Sequence, residues 1–187
     1  YGTQLWKSDG TSDGTTLVKQ IDDPTGYSSF SEEIVVGNTL FFEADDDIHG
    51  DELWKSDGTE EGTVLVKDIK PGNMQWNDSY IDELTAVGDV LFFTAEDGTH
   101  GNELWKSDGT EEGTVLVKDI KTGDSGSNPD HLISFNNQLF FTLDDGSYGT
   151  QLWKSDGTSD GTTLVKQIDD PNGYSSFSEE VVVGNTL

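Results

Sequence analysis

The residues best equipped to do chemistry are acids gathered on three short loops. They read Asp45-Asp46-Asp47-Ile48-His49-Gly50-Asp51-Glu52, Glu96-Asp97-Gly98-Thr99-His100-Gly101-Asn102-Glu103 and Asp144-Asp145-Gly146-Ser147-Tyr148-Gly149-Thr150-Gln151. Calcium takes about six to eight hard oxygens, which carboxylates closely spaced on a tight loop can supply. Asp45, Asp46, Asp47, Asp51, Glu96, Asp97, Asp144 and Asp145 are therefore calcium-ligand candidates. The first loop is favoured, because the third carries Thr150 and Gln151 where the first has Asp51 and Glu52. None of the loops is an EF-hand, which closes on a bidentate glutamate. The competing reading is a solvated acidic turn.

Paired carboxylates also serve glycoside hydrolysis. A catalytic pair, however, needs one singular environment that drives two pKa values apart, and near-identical units spread their acids evenly. No catalytic residue is assigned on that ground. His49 and His100 share a repeat position with Tyr1 and Tyr148, which suits packing better than acid–base work, and His131 stands alone. No Ser/His/Asp set and no His-Glu-x-x-His spacing is present.

The elements that position these loops follow from an internal repeat, the first thing to seek in such a chain. Leu-Trp-Lys-Ser-Asp-Gly-Thr occurs four times, with Trp6, Trp54, Trp105 and Trp153 spaced by 48, 51 and 48 residues. Residues 148–187 copy residues 1–40 with two differences, Thr25 against Asn172 and Ile34 against Val181. Three units thus make a block that has begun to repeat, and the chain reads as a window on a longer array. In each Ser-Asp-Gly-Thr-x-x-Gly-Thr turn, the aspartate (Asp9, Asp57, Asp108, Asp156) is expected to accept backbone N–H bonds, and the glycine to take positive φ. The four repeated tryptophans are expected to pack between units, although an exposed Trp would suit sugar stacking. Trp76 occurs once, between units, and is the best candidate contact residue. Beside it Asn77-Asp78-Ser79 is a glycosylation sequon, with Asn77 the acceptor.

One unit, residues 81–120, reads as four short strands: Ile81 to Val87, Val90 to Ala95, Glu103 to Lys106 and Val115 to Ile120. Gly88-Asp89, Asp97-Gly98 and the Asp108–Thr114 segment punctuate them. The Phe92-Phe93 strand is apolar on both faces, so its sheet must be covered on both sides. No segment carries helical periodicity. The fold expected is all-β: four-stranded antiparallel blades of about 49 residues stacked as a β-propeller or a propeller-like array, with a β-solenoid second. The boundaries expected are a partial blade at 1–30, blades at 31–80, 81–130 and 131–180, and the start of another unit at 181–187. The Pro-bearing segments 22–32, 70–80 and 121–131 read as blade-to-blade connections.

Composition narrows the partners. Ten lysines and no arginine face 37 acids, a formal charge of −27. That sign is wrong for nucleic acid and for an anionic membrane surface. No apolar run is long enough to span a bilayer, and the absence of cysteine removes disulfide and thiol chemistry.

The string Glu52-Leu53-Trp54-Lys55-Ser56-Asp57-Gly58-Thr59-Glu60-Glu61-Gly62-Thr63 resembles the ELWxxDGT repeat of large bacterial surface or secreted proteins. The likeness covers essentially the whole chain, with Gln4 and Gln151 departing at the first position. It implies an extracellular, propeller-like repeat protein at the cell surface and no established enzyme activity. The function expected is structural: a self-assembling surface-layer or fibre component, stabilised by calcium if the acidic loops bind it, and joined head to tail through incomplete edge blades. The alternative is an adhesin or lectin-like propeller that binds glycans.

Overall fold

Strand alternation and turn chemistry build one unit three times over. The computed structural model describes residues 2–22, 32–72, 78–147 and 149–167. Trp76, Asn77 and the unit expected to start at 181–187 lie outside the described residues. The described residues contain strands and turns and no helix.

A two-stranded sheet comes first, β1 (Gln4–Lys7) and β2 (Thr16–Gln20). Three four-stranded antiparallel sheets follow. They comprise β3 (Glu33–Val36), β4 (Thr39–Asp45), β5 (Asp51–Ser56) and β6 (Val64–Lys67); β7 (Asp82–Val87), β8 (Val90–Glu96), β9 (Asn102–Ser107) and β10 (Val115–Lys118); and β11 (Asp130–Phe135), β12 (Gln138–Asp144), β13 (Thr150–Ser155) and β14 (Thr163–Lys166). Within each sheet the strands pair in chain order, as a meander. β1 and β2 carry the Trp and Leu-Val segments, so they match the third and fourth strands of the complete blades. The first strands of successive blades touch, β3 against β7 and β7 against β11, which sets the blades side by side as in a propeller.

Each blade begins with a tight hairpin. Gly37 and Gly88 open two of these turns at φ +62°. The third uses Asn136 and Asn137 at φ +50° and +60°, the left-handed pair that a right-twisted hairpin requires and that asparagine tolerates.

The Phe pair explains how the blades cohere. Successive side chains leave a strand on opposite faces, so the two rings enter two different junctions. Phe42 packs with Trp54 toward the first sheet, beside Leu5 and Ile21. Phe41 packs the other way, with Leu53 and Val66 of its own blade and with Phe93 and Trp105 of the following blade. Phe92, Val117, Phe141 and Trp153 repeat the arrangement one blade on. Phe42, Phe93 and Phe141 are wholly buried, and full burial of such a ring contributes roughly 1.5–3 kcal/mol.

Candidate functional site

The serine, aspartate and threonines of the repeated turn bond one another and its backbone. In the β5–β6 turn, Asp57 Oδ1 accepts from the Thr59 amide at 2.9 Å and from the Thr59 hydroxyl at 2.6 Å. Thr59 Oγ1 accepts from the Gly62 amide, and its carbonyl from the Thr63 hydroxyl. Ser56 and Thr63 share a hydroxyl–hydroxyl bond of 2.7 Å, and Ser56 Oγ accepts from the Gly58 amide. Gly58 sits at φ +86°. The second glycine is needed for room, because a Cβ on Gly62 would lie 2.0 Å from Asp57 Oδ1. The same bonds recur around Asp9, Asp108 and Asp156. The threonine hydroxyl, then its amide, holds each of these four carboxyls below the ordinary aspartate range.

Lysines carry the turns from one blade to the next. Lys7 Nζ donates to the Gly58 carbonyl at 2.9 Å, and Lys55 Nζ to that of Gly109 at 2.7 Å. Lys19, Lys67 and Lys118 donate to the carbonyls of Thr63, Thr114 and Thr162 at 2.7, 2.9 and 2.9 Å. Lys7, Lys19, Lys55, Lys67 and Lys118 thus cap the turn of the following unit.

The glutamate preceding Leu-Trp anchors the connection between blades. Glu52 is wholly buried and accepts from the Ile69 and Lys70 amides at 2.9 and 3.0 Å. Burial drives its pKa up to about 7 against these bonds. Glu103 takes the amides of Lys121 and Ser127 and the Ser127 hydroxyl, and burial likewise raises it. Sequence reasoning placed Glu52 only at the end of a loop and missed this role. A signal was available: Gln4 faces Gln20 and hydrogen-bonds it, whereas Glu52 is followed by Asp68 and Glu103 by Asp119 at the matching positions.

The tryptophans divide. Trp54, Trp105 and Trp153 are 6, 6 and 8% exposed, whereas Trp6 is 53% exposed. The packing expected of Trp6 is therefore corrected: no Phe-bearing strand lies beside β1 among the described residues, and its indole N–H turns to Gln4 Oε1 at 3.0 Å.

Five acids of these loops each turn one oxygen onto their own backbone. Asp45 Oδ1 accepts from the Asp47 amide at 2.7 Å. Asp46 takes the amides of Ile48 and His49, with the His49 ring 2.9 Å away. Asp97 takes the amides of Thr99 and His100, and its other oxygen lies 2.7 Å from His100 Nδ1. Burial pushes Asp97 up, but these bonds outweigh it, and the Asp97 contact raises His100. Asp144 and Asp145 accept from Gly146 and Ser147, and Glu96 pairs with Lys70 at 3.1 Å. His131, on β11, has its ring nitrogen 3.4 Å from Thr142 Oγ1.

Of the calcium candidates, the structure brings Asp45 and Asp51 together, opposite each other across β4 and β5. It adds two acids that the loop pattern did not single out, Glu43 and Asp78. Asp78 Oδ1 accepts from the Asp51 amide at 3.3 Å. Glu43 is 7% exposed, and burial first, then Asp51, Asp78, Asp82 and Glu32, raise its pKa to about 8. Burial and the charges of Asp78 and Asp45 raise Asp51 to about 6. Among the described residues, no three acids or histidines stand close enough to hold a metal ion as they are placed.

These features define the chain as a tandem, propeller-like all-β repeat protein. No protein-family model matches it, and no curated protein matches it. Among solved structures, it is similar to a chain from a structural and mechanistic study of two prolyl endopeptidases, at 13% identity and a TM-score of 0.56 over 91% of its length. It spans 24% of that chain. At this identity the likeness is one of fold.

Proposed function

We propose that the chain is a structural, non-catalytic repeat protein of the cell surface, as its ELWxxDGT resemblance implies, whose units couple head to tail within and between chains. The supporting observation is the junction itself. Each sheet presents a lysine-and-valine face forward and receives the next on a Trp, Leu and turn-carbonyl face. The outer faces expose the two unmatched halves: Trp6 and Leu17, 53 and 45% exposed, on β1–β2, and Val165, 43% exposed, on β14. Among the described residues, Lys154 and Lys166 meet no acceptor in a following turn. Stacking these halves would bury apolar surface and cap bare carbonyls by the same contacts the chain already repeats. The non-catalytic reading is supported by the repeated acids: Asp9, Asp57, Asp108 and Asp156 cap turns, and Glu52 and Glu103 anchor linkers.

A second reading, glycan binding, is favoured by one observation. Trp6 lines an open groove of about 320 Å³ with Leu5, Val35, Asn38, Leu40 and Asp57, an exposed indole among hydrogen-bonding groups. Electron microscopy of the purified chain over a range of concentrations separates the readings. Linear oligomers or filaments are expected. Discrete single particles at every concentration, with saturable binding on a glycan array, would replace the structural reading. Turnover abolished by one carboxylate change would make the protein an enzyme.

A further inference from the structure

Two strand pairs of identical sequence have different surroundings. Residues 2–19, which hold β1 and β2, recur residue for residue as 149–166, which hold β13 and β14. β13 pairs on one side with β14 and on the other with β12, which sets Phe141 opposite Trp153 and Phe140 opposite Lys154. β1 pairs with β2 and, among the described residues, with no other strand. Trp153 and Ser155 are 8 and 0% exposed, whereas Trp6 is 53% exposed and Ser8 is exposed too. The hairpin of β11 and β12 therefore shows what the same sequence looks like with its edge covered.

The space along the open edge has a definite shape. Lys7 reaches the Gly58 carbonyl as Lys55 reaches that of Gly109, so the first junction is docked like the second. A Cβ on Gly109 would lie 3.2 Å from the Phe41 ring, and one on Gly157 would lie 3.1 Å from the Phe92 ring. A Cβ on Gly58 would meet nothing within 4 Å. Phe41 and Phe92 stand opposite Lys55 and Lys106, and no described residue stands opposite Lys7 on that edge. The groove of about 320 Å³ there is lined by Leu5, Trp6, Val35, Leu40 and Gly58, and Val35 is 61% exposed. A Phe pair suits both sides of it. Neighbouring residues leave a strand on opposite faces, so one ring would enter over Gly58 and the next would lie against Trp6. An open strand edge takes such a segment through its row of backbone donors and acceptors.

We propose that the free edge of β1, with the groove over Gly58, is an acceptor site for a Phe-Phe hairpin of the β11–β12 kind, supplied by a second chain of the same repeat. The register is that of the identical pair: Phe141 opposite Trp6, Phe140 opposite Lys7 and Leu143 opposite Gln4. Residues 180–187 repeat residues 33–40 apart from Val181, so a second chain carries the opening sequence of a further hairpin in addition to those of its three blades. The inference rests on the head-to-tail reading and deepens it by naming the strand that makes the contact. The two fail separately. The test below reads one edge of a dilute single chain, while growth of mass can still proceed through the Val165 face.

The experiment titrates the full chain, dilute and in about 0.15 M salt, with a fluorescent synthetic peptide of residues 130–144. Anisotropy reads the affinity. Hydrogen exchange reads the location, with the chain isotope-labelled so that its fragments are told from the peptide. A Kd below about 100 µM is expected, and saturating peptide is expected to slow exchange about tenfold or more within residues 4–8. Phe140→Ser with Phe141→Ser, made in the peptide alone, is expected to weaken binding about 30-fold or more while leaving the folded chain untouched. Trp6→Ala in the chain is expected to weaken it about fivefold or more, and Val165→Lys to leave it unchanged. Because β13 repeats β1, the peptide has a second place to go. Faster exchange of the chain's residues 138–144, with no slowing at 4–8, would show displacement of β12 and overturn the proposal. No binding, as follows if the groove takes a glycan instead, would also overturn it. So would binding indifferent to the two serines, or an edge already slow to exchange without peptide, covered by the chain's own residues.

Discussion

Ser107 and Ser8 make the same bonds in equivalent turns, and burial alone separates them. Ser107 is wholly buried, pairs with Thr114 Oγ1 at 2.7 Å and accepts from the Gly109 amide at 2.9 Å. Ser8 pairs with Thr15 at the same distance, but on the exposed face of the first sheet. Truncation that strands a buried donor costs about 1–3 kcal/mol, whereas water replaces an exposed partner. Ser107→Ala is therefore expected to lower the urea midpoint clearly, and Ser8→Ala hardly at all. Equal losses would show that the bonds act independently of burial. The carboxyls set a pH dependence of definite sign. Glu43 at about 8, Glu52 at about 7 and Asp51 at about 6 all lie above their ordinary values of 4.5, 4.5 and 3.8. Each binds its proton more tightly folded than unfolded, so its stabilisation is full below the ordinary value and is lost as pH rises through the folded one. The turn aspartates, lowered from 3.8, act oppositely: their contribution holds above that value and fades as pH falls below it. In chelator, Tm is expected to be higher near pH 5.5 than near pH 8.5, and Glu43→Thr to shrink the difference; a Tm flat or rising over that range would contradict the assignment. At this scale the sequence showed where turns would fall, since Asp-Gly-Thr admits few other conformations. It did not show that Asp78 would accept a hydrogen bond from the Asp51 amide, 27 residues away, because that proximity depends on the path of a linker.

At the scale of the strand, the Phe pair and the tryptophan decide what each sheet contributes. The four-strand unit was legible from alternation and punctuation, and the observed strands follow it: β8 and β9 carry Phe92-Phe93 and Trp105 where the period of two requires. What alternation could not give is which neighbour each face meets. Trp105 packs back onto Phe41 and Leu53 of the preceding blade, while Trp6 in the identical heptapeptide has no such neighbour among the described residues. Trp105→Ala is thus expected to cost about 3–5 kcal/mol through the cavity it leaves, and Trp6→Ala about 1 kcal/mol or less. Chemical denaturation of both variants checks this, and similar losses would mean that Trp6 is buried in solution by contacts absent from the single chain. The lysines mark the same limit. Eight of the ten lysines belong to the repeated Leu-Trp-Lys and Leu-Val-Lys segments, which the repeat made obvious. That they cap the next unit's turn, as Lys55 does at Gly109, was hidden because the partner lies about one full unit further along the chain.

For the molecule as a whole, two features oppose each other. A formal charge of −27 pushes blades and copies apart, while the junctions join a lysine and apolar face to a row of turn carbonyls. The junctions are short-ranged and specific and the charge is screened by salt, so contact between copies should strengthen as salt rises. The all-β propeller-like class was readable because the repeat recurs in register; an assembly state is not, since a face looks the same in sequence whether its own chain or another covers it. Sedimentation velocity of the purified chain over a hundredfold range of concentration, in about 0.15 M salt, addresses head-to-tail coupling most directly. Trp6→Glu and Val165→Lys, each on one of the two outer faces, provide the controls. The account predicts mass growing with concentration in the wild type, a monomer in either variant with an unchanged β-sheet spectrum, and growth enhanced by salt. A wild-type monomer throughout, or oligomers indifferent to both substitutions, would contradict it.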